Sequence, residues 1–278
     1  MTEPLLLVFG AGYCGTAIAA ASPSARLVSR APGPGMADFA APPIAAATHV
    51  LITAPPGPTA DPVLDTHAAA IAAAPDLRWI GYLSTTGVYG DHGGGWVDED
   101  TAPNPTNPRS VRRRAAEIAW AGFAPRIAVD IFRLAGIYGP GRSPFESLAN
   151  GTARRLDRPG HCFGRIHRDD ITGAVLAAIA QAPPAGLRVF NLADDEPAEP
   201  QAVIAWAAHL AGLPCPPLTD FADATLPPMA HSFWAENRRV RSESTQQRLD
   251  YRWRYPTYRS GLAAILAEQR RHGAAEQP

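Results

Sequence analysis

The chemistry of this chain begins at Gly10-Ala11-Gly12-Tyr13-Cys14-Gly15, which follows directly on the apolar run Leu5-Leu6-Leu7-Val8-Phe9. An all-apolar run of this length marks a strand buried on both faces, and the glycines then open an Ala-rich helical stretch. In that setting each glycine has a distinct task. Gly10 allows a tight turn, Gly12 lets the backbone approach a pyrophosphate, and Gly15 permits close helix–sheet packing. The first N–H groups of the helix, those of Tyr13 and Cys14 among them, are offered to phosphate oxygens. A glycine turn with no ligand is the competing reading. A site that prefers NAD places Asp or Glu about 20 residues further on, against the ribose 2′-OH. Here that place holds Ser29 and Arg30, with no carboxylate. A hydroxyl followed by a forked guanidinium suits a 2′-phosphate. The expected cofactor is therefore NADP, with NAD second and a plain surface role for Arg30 as the alternative.

Composition removes other chemistries. All 25 basic side chains of the 278-residue chain are arginine; there is no lysine. A P-loop lysine, a PLP lysine and a Schiff-base amine are thereby excluded. Arginine holds its proton near neutrality and cannot replace them as acid, base or nucleophile. The formal net charge of -1 argues against bulk affinity for nucleic acid. Cys14, Cys162 and Cys215 are far apart and form no CxxC pair, so neither a zinc site nor a disulfide framework is expected. No apolar run is long enough for a signal or a membrane span. The expectation is a reduced, cytoplasmic protein with no membrane partner.

The elements that must position these residues alternate. Strands are expected at Leu5–Phe9, Arg26–Ser29, His49–Thr53, Trp79–Ser84 and Ile127–Arg133. Helices are expected after the glycine loop to Ala21, over Val63–Ala74, and over Ser110–Gly122 with Ser110 as N-cap. This order gives an α/β Rossmann fold, a doubly wound parallel sheet. Residues 1–140 form its dinucleotide-binding core, with later strands added from 160–195. Residues 141–278 form mainly a smaller substrate-capping part. Within that part, helices near 144–153, 170–180 and 200–211 alternate with short strands at Arg165–His167 and Arg188–Leu192, and Asp169-Asp170 reads as the cap of a helix beginning at Ile171.

Further segments carry a family resemblance. Ser84-Thr85-Thr86-Gly87-Val88-Tyr89-Gly90, Phe132-Arg133-Leu134-Ala135-Gly136-Ile137-Tyr138-Gly139-Pro140-Gly141 and Ile166-His167-Arg168-Asp169-Asp170-Ile171 stand in order. They are followed by Val189-Phe190-Asn191-Leu192 and Tyr255-Pro256-Thr257-Tyr258. In this order the chain resembles the extended short-chain dehydrogenase/reductases, the NAD-dependent epimerase/dehydratase group. The resemblance implies an NAD(P)-binding Rossmann domain and a C-terminal part that closes over the substrate, often a nucleotide sugar. It implies that Thr85, beside Ser84, contacts the reacting carbonyl or hydroxyl. It also implies that Thr53-Ala54-Pro55-Pro56 lines the adenine and ribose, where a structural loop reads equally well.

The chain departs from the group at its proton relay. The group carries Tyr-x-x-x-Lys four residues ahead of a frequent Glu. With Glu117 as that Glu, the lysine place holds Arg113 and the tyrosine place Arg109. Arg113 can still bind ribose and supply positive charge, and Arg109 can hold an anion, but neither trades protons. Substitute donors in the same segments are Tyr89, Tyr138 and His92, with Asp98 and Glu99 further along. His161 and His167 show no ligating pattern, and no metal is expected. The C-terminal arginines from Arg238 to Arg259, interleaved with aromatics, read as facing an anionic substrate rather than nucleic acid. Two functions follow: an NAD(P)-dependent reductase or epimerase/dehydratase-like enzyme with a non-standard site and a small or nucleotide-linked anionic substrate, or a catalytically silent protein that senses NADP. By the same resemblance, a homodimer through Val63–Ala74 and Ser110–Gly122 is expected.

Overall fold

The computed structural model describes residues 4–226 and 234–275. Its strands in the first half are β1 (Leu6–Phe9), β2 (Ala25–Ser29), β3 (Ala37–Asp38), β4 (His49–Ile52), β5 (Trp79–Thr85) and β6 (Trp96–Val97). Then come β7 (Ala128–Leu134), β8 (Gly136–Tyr138), β9 (Arg155–Asp157), β10 (Arg165–His167), β11 (Gly186–Leu192), β12 (Leu218–Asp220) and β13 (Arg239–Val240). The helices are α1 (Tyr13–Ala20), α2 (Pro62–Ala73), α3 (Pro108–Ala121), α4 (Pro144–Ala149), α5 (Arg168–Ala180) and α6 (Pro200–Ala211). Two more, α7 (Glu243–Leu249) and α8 (Tyr258–Ala275), close the described chain.

Seven strands form one parallel sheet in the order β11-β7-β5-β4-β1-β2-β3. Successive side chains of a strand point to opposite faces, and both faces here are covered. Leu6, Val8, Leu51, Leu83 and Phe132 enter one core with Ile171 and Val175 of α5. Leu7, Phe9, Val50, Ile52, Ile80 and Ile131 enter the other with Ile71 of α2 and Trp120 of α3. The strand order reverses between β1 and β4, which places a crevice at their carboxyl ends. A third core, in the C-terminal part, joins Tyr138, Phe145, Val203, Tyr258 and Leu262.

Of the later strands, β11 extends the central sheet against β7, whereas β10 pairs with β8 in a separate ribbon. Two caps differ from the sequence expectation. Helix α3 starts at Pro108, and Asn107 rather than Ser110 is its N-cap, accepting from the Ser110 N–H at 2.8 Å. Proline fits the first helical position because its fixed φ is already helical and its missing N–H would have had no partner there. Helix α5 begins at Arg168, capped by His167, whose Nδ1 accepts from the Asp169 N–H. Asp170 is instead fully buried and accepts from Tyr251 Oη and from the N–H groups of Arg254 and Tyr255. Among the described residues no helix is long and apolar enough to cross a membrane.

Candidate functional site

The glycine loop leaves β1 at the crevice. Gly10 has φ +118°, and a Cβ there would lie 2.5 Å from Thr53 Oγ1 and 2.9 Å from the Ala54 nitrogen. A Cβ on Gly15 would lie 2.0 Å from the Gly10 carbonyl oxygen. Gly12 is different: nothing stands within 4 Å of where its Cβ would be. It is the N-cap of α1 and no side chain caps that helix end. The loop therefore presents open backbone where a phosphate group would sit. Residues of this loop fit a dinucleotide.

Thr53 fastens the turn from the neighbouring strand. Its Oγ1 donates to the carbonyls of Phe9 at 3.2 Å and Gly10 at 2.9 Å, and Ala54 N–H also donates to Phe9. Pro55 and Pro56 follow at the carboxyl end of β4. Cys14 is buried, and burial pushes its thiol up to about 11, so it is no nucleophile at neutral pH. Tyr13 bolts the loop to the opposite side of the crevice: its hydroxyl donates to the Pro140 carbonyl at 3.0 Å. The guanidinium groups of Arg142 and Arg168 lie 5.7 and 5.1 Å from its ring centroid. At the end of β2, Ser29 is half-buried and turns its hydroxyl to Ala31. Arg30 is exposed and lies over the Phe39 ring at 5.1 Å.

Helix α3 brings arginines to the carboxyl end of β5. Arg113 donates to the Leu83 carbonyl at 2.8 Å and to Tyr82 Oη at 3.2 Å. One helical turn away, Arg109 is exposed and shares its surroundings with Arg112, Arg113 and Arg142. Partial burial, followed by the repulsion of these three cations, holds its guanidinium below the ordinary arginine value. Such crowding of like charge is relieved by an anion. Thr85 stands half-buried between the strand and this helix, its Oγ1 accepting from Gly87 N–H at 3.1 Å. Arg142 and Arg168 escaped the sequence reading, although Arg142 directly follows Gly139-Pro140-Gly141.

The substitute proton donors are not gathered here. Tyr89 has no exposed surface; its hydroxyl donates to Asn191 Oδ1 at 2.7 Å and accepts from Arg133 at 3.0 Å. Burial, the largest influence, raises its pKa. Tyr138 is 6% exposed and packs against Gly261, and burial drives its phenol far above the ordinary value. Both are tied into the interior, which removes them as ready donors to a bound substrate. Ser84 is also spent, donating to Glu117 Oε1 at 2.6 Å. His92 lies in a loop held by Asn237, its Nε2 beside the Tyr89 carbonyl. Asp98 closes a local turn onto Thr101, and Glu99 accepts from Thr245 and from the Asn191 N–H.

His161 and His167 are buried, and burial lowers each to about 4, so both are neutral near pH 7. Among the described residues no group of three or more His, Cys, Asp or Glu is arranged to hold a metal ion. The C-terminal arginines mostly serve structure. Arg238 pairs with Glu236, Arg259 with Glu196, while Arg239 and Arg248 donate to the carbonyls of Gly94 and Val189.

No protein-family model matches the chain. Protein YeeZ of Escherichia coli K12 is 35% identical over 156 residues, 55% of this chain and 53% of YeeZ. The match thus spans about half the length of the curated relatives. A functionally unknown conserved protein from Silicibacter pomeroyi is 44% identical, with 96% of this chain and 99% of that one covered and a TM-score of 0.86. More distant solved structures bear the names of the NAD-dependent epimerase/dehydratase group and share the fold. Human epimerase family protein SDR39U1, solved with NADPH, is 19% identical with a TM-score of 0.76, covering 94% of this chain and 99% of that one. MoeE5, solved with UDP-glucuronic acid and NAD, is 21% identical with a TM-score of 0.73, covering 96% and 99%.

Proposed function

We propose that this chain, which belongs to one family with the functionally unknown Silicibacter pomeroyi protein, is an NADP-dependent reductase or epimerase/dehydratase-like enzyme acting on a small anionic substrate. The observation that carries the reading is the open backbone at Gly12, with Arg142 over the adjoining Tyr13 ring and with Arg113 and Arg142 within charge range of Arg109. The loop amides from Gly12 to Gly15 would receive the diphosphate, and Ser29 with Arg30 the 2′-phosphate. A bound nicotinamide supplies hydride exchange with a carbonyl or hydroxyl carbon.

The chain's own groups do the rest. Arg113, held by Leu83 and Tyr82, fixes positive charge at the end of β5 beside Thr85. Thr85 accepts from Gly87, which leaves its hydroxyl proton for a substrate oxygen. Arg109 and Arg142 would hold the substrate's anionic group and stabilise negative charge that develops beside it. None of the arginines gives up a proton. With Tyr89 and Tyr138 withdrawn into the interior, the proton comes from water or reaches the oxygen through Thr85.

That same withdrawal, together with the missing lysine, favours a second reading: a protein that binds NADP and does not turn it over. Calorimetric titration with NADPH, followed by absorbance assays on phosphorylated and nucleotide-linked carbonyl compounds, separates the two. NADPH binding with turnover that falls in Thr85→Ala supports the enzyme; binding with no turnover on any compound supports the sensor. Absence of binding to wild type, with the fold intact, defeats both. We also propose a homodimer through α2 and α3, because the outer face of α3 leaves Val111 and Ile118 48% and 59% exposed. On α2, Ala69, Ala70 and Ala73 are small and exposed, which allows close approach.

A further inference from the structure

Beside the crevice, on the flank of α1 and α5, lies an open groove of about 810 Å³ that shares Arg168 with the surroundings of Tyr13. It is lined by Thr16, Ala17 and Ala20 of α1, by Arg168 and Thr172 of α5, and by Arg252 and Arg254 of the segment after α7. The segment that carries Arg252 and Arg254 is rigid for identifiable reasons. Asp170 is fully buried and accepts from Tyr251 Oη at 3.1 Å, Arg254 N–H at 2.6 Å and Tyr255 N–H at 3.0 Å. Tyr251 fills the space left by Gly173, where a Cβ would lie 2.1 Å from its hydroxyl oxygen. Between the two arginines Trp253 is 5% exposed and donates from Nε1 to Ser242 Oγ. An extended segment sends alternate side chains to opposite sides, so burying Trp253 sends Arg252 and Arg254 outward together.

Charge on the groove is unbalanced. Arg168, Arg252 and Arg254 line it with a single carboxylate, Asp169, which pairs with Arg168 at 3.2 Å. Among the described residues neither Arg252 nor Arg254 forms an ion pair; Asp195 acts on Arg252 at longer range. Arginine forks match phosphate oxygens in pairs, and holding two of them on a preformed loop removes much of the ordering cost of binding.

We propose that the groove between α1 and α5 is a second binding site, for a small soluble organic diphosphate, with Arg252 and Arg254 as its principal ligands and Arg168 beside them; the Thr172 hydroxyl is already committed to the Arg168 carbonyl. It lies on the flank of α1, and the glycine loop at the helix start is not among the residues that line it. The site does not depend on the cofactor reading.

The probe is inorganic pyrophosphate, titrated by calorimetry into a Gly12→Glu variant, which fills the glycine loop and leaves the groove untouched. Saturable binding is expected there. Reversing charge in Arg252→Glu/Arg254→Glu on that background weakens it by about tenfold or more, the loss expected when charge-assisted bonds are replaced by repulsion. Both side chains are exposed, so the variant keeps its fold, checked by its thermal transition. Pyrophosphate binding that is absent in Gly12→Glu, or equally weakened by Arg26→Glu on β2, outside the groove lining, would overturn the proposal. The cofactor reading fails separately, through NADPH binding to wild type.

Discussion

Side chains of one type do different work in this protein according to what surrounds them. Arg133 is buried against Glu117, Arg113 is pinned to a carbonyl, and Arg30 lies open over a phenyl ring. Only an exposed, unanchored guanidinium of the third kind can move onto a 2′-phosphate. Arg30→Ala is therefore expected to weaken NADPH by about 1.5–3 kcal/mol, the worth of a hydrogen bond to a charged group, with NADH affected little. Titration of both nucleotides into both proteins checks this, and equal wild-type affinities would remove Ser29 and Arg30 from the site. Two glycines give a paired expectation. Gly12→Ala meets open space and should leave the melting temperature unchanged while weakening the dinucleotide. Gly15→Ala drives a methyl onto the Gly10 carbonyl and should cost about 1–3 kcal/mol of stability as well. Thermal melts and NADPH titrations, run side by side, distinguish them.

Elements hold these residues through buried polar junctions. Helix α3 is joined to β5 and β7 at Glu117, 1% exposed, which accepts from Ser84, Arg114 and both ends of the Arg133 fork. Removing one partner of a buried pair leaves the other charge uncompensated. Glu117→Gln should cost about 3–5 kcal/mol in urea unfolding, and it should lower catalytic turnover, if present, by shifting Arg109 and Arg113. A second junction lies after β11, where Asp194 is 1% exposed and neither carboxylate oxygen has a hydrogen-bond partner. Burial raises its pKa well above the ordinary value, more than the nearby Arg165 lowers it. A raised folded pKa means that stability is complete below the unfolded value and is lost as pH rises through the folded one. Relative to Asp194→Asn, wild type should lose stability on moving up from about pH 4. Melting curves of the two proteins across that range check the sign; parallel curves would refute it.

At the scale of the molecule, the apolar face of α3 is the feature that a monomer leaves unexplained. Val111 and Ile118 are a helical repeat of seven apart and both more than two-fifths exposed. Light scattering at micromolar concentration is expected to give twice the chain mass, and Ile118→Glu to give the chain mass with an unchanged fold. A wild-type monomer would end the dimer reading.

The strand–glycine–helix unit, the alternation of elements and the parallel α/β class were legible in the residues, because backbone turns and two-sided burial leave local signatures. That the chain holds no Tyr-x-x-x-Lys pair is read from the sequence itself, which has no lysine. The short β3, and the pairing of β10 with β8 away from the sheet, were not legible, because two or three residues carry too little pattern. Caps shifted for a local reason: Asn107 with Pro108 takes the start of α3 from Ser110, and His167 takes that of α5 from Asp169-Asp170. What only the tertiary structure decided is which polar groups face the crevice. Tyr89, Tyr138 and Ser84 look like chemistry in sequence, yet partners 33 to 119 residues away draw their hydroxyls inward. Arg142 and Arg168 look like surface, yet the fold brings both over Tyr13. Sequence fixes a side chain's type and its neighbours along the chain, but burial and charge partners arise from contacts between distant segments, and those set what the group can do.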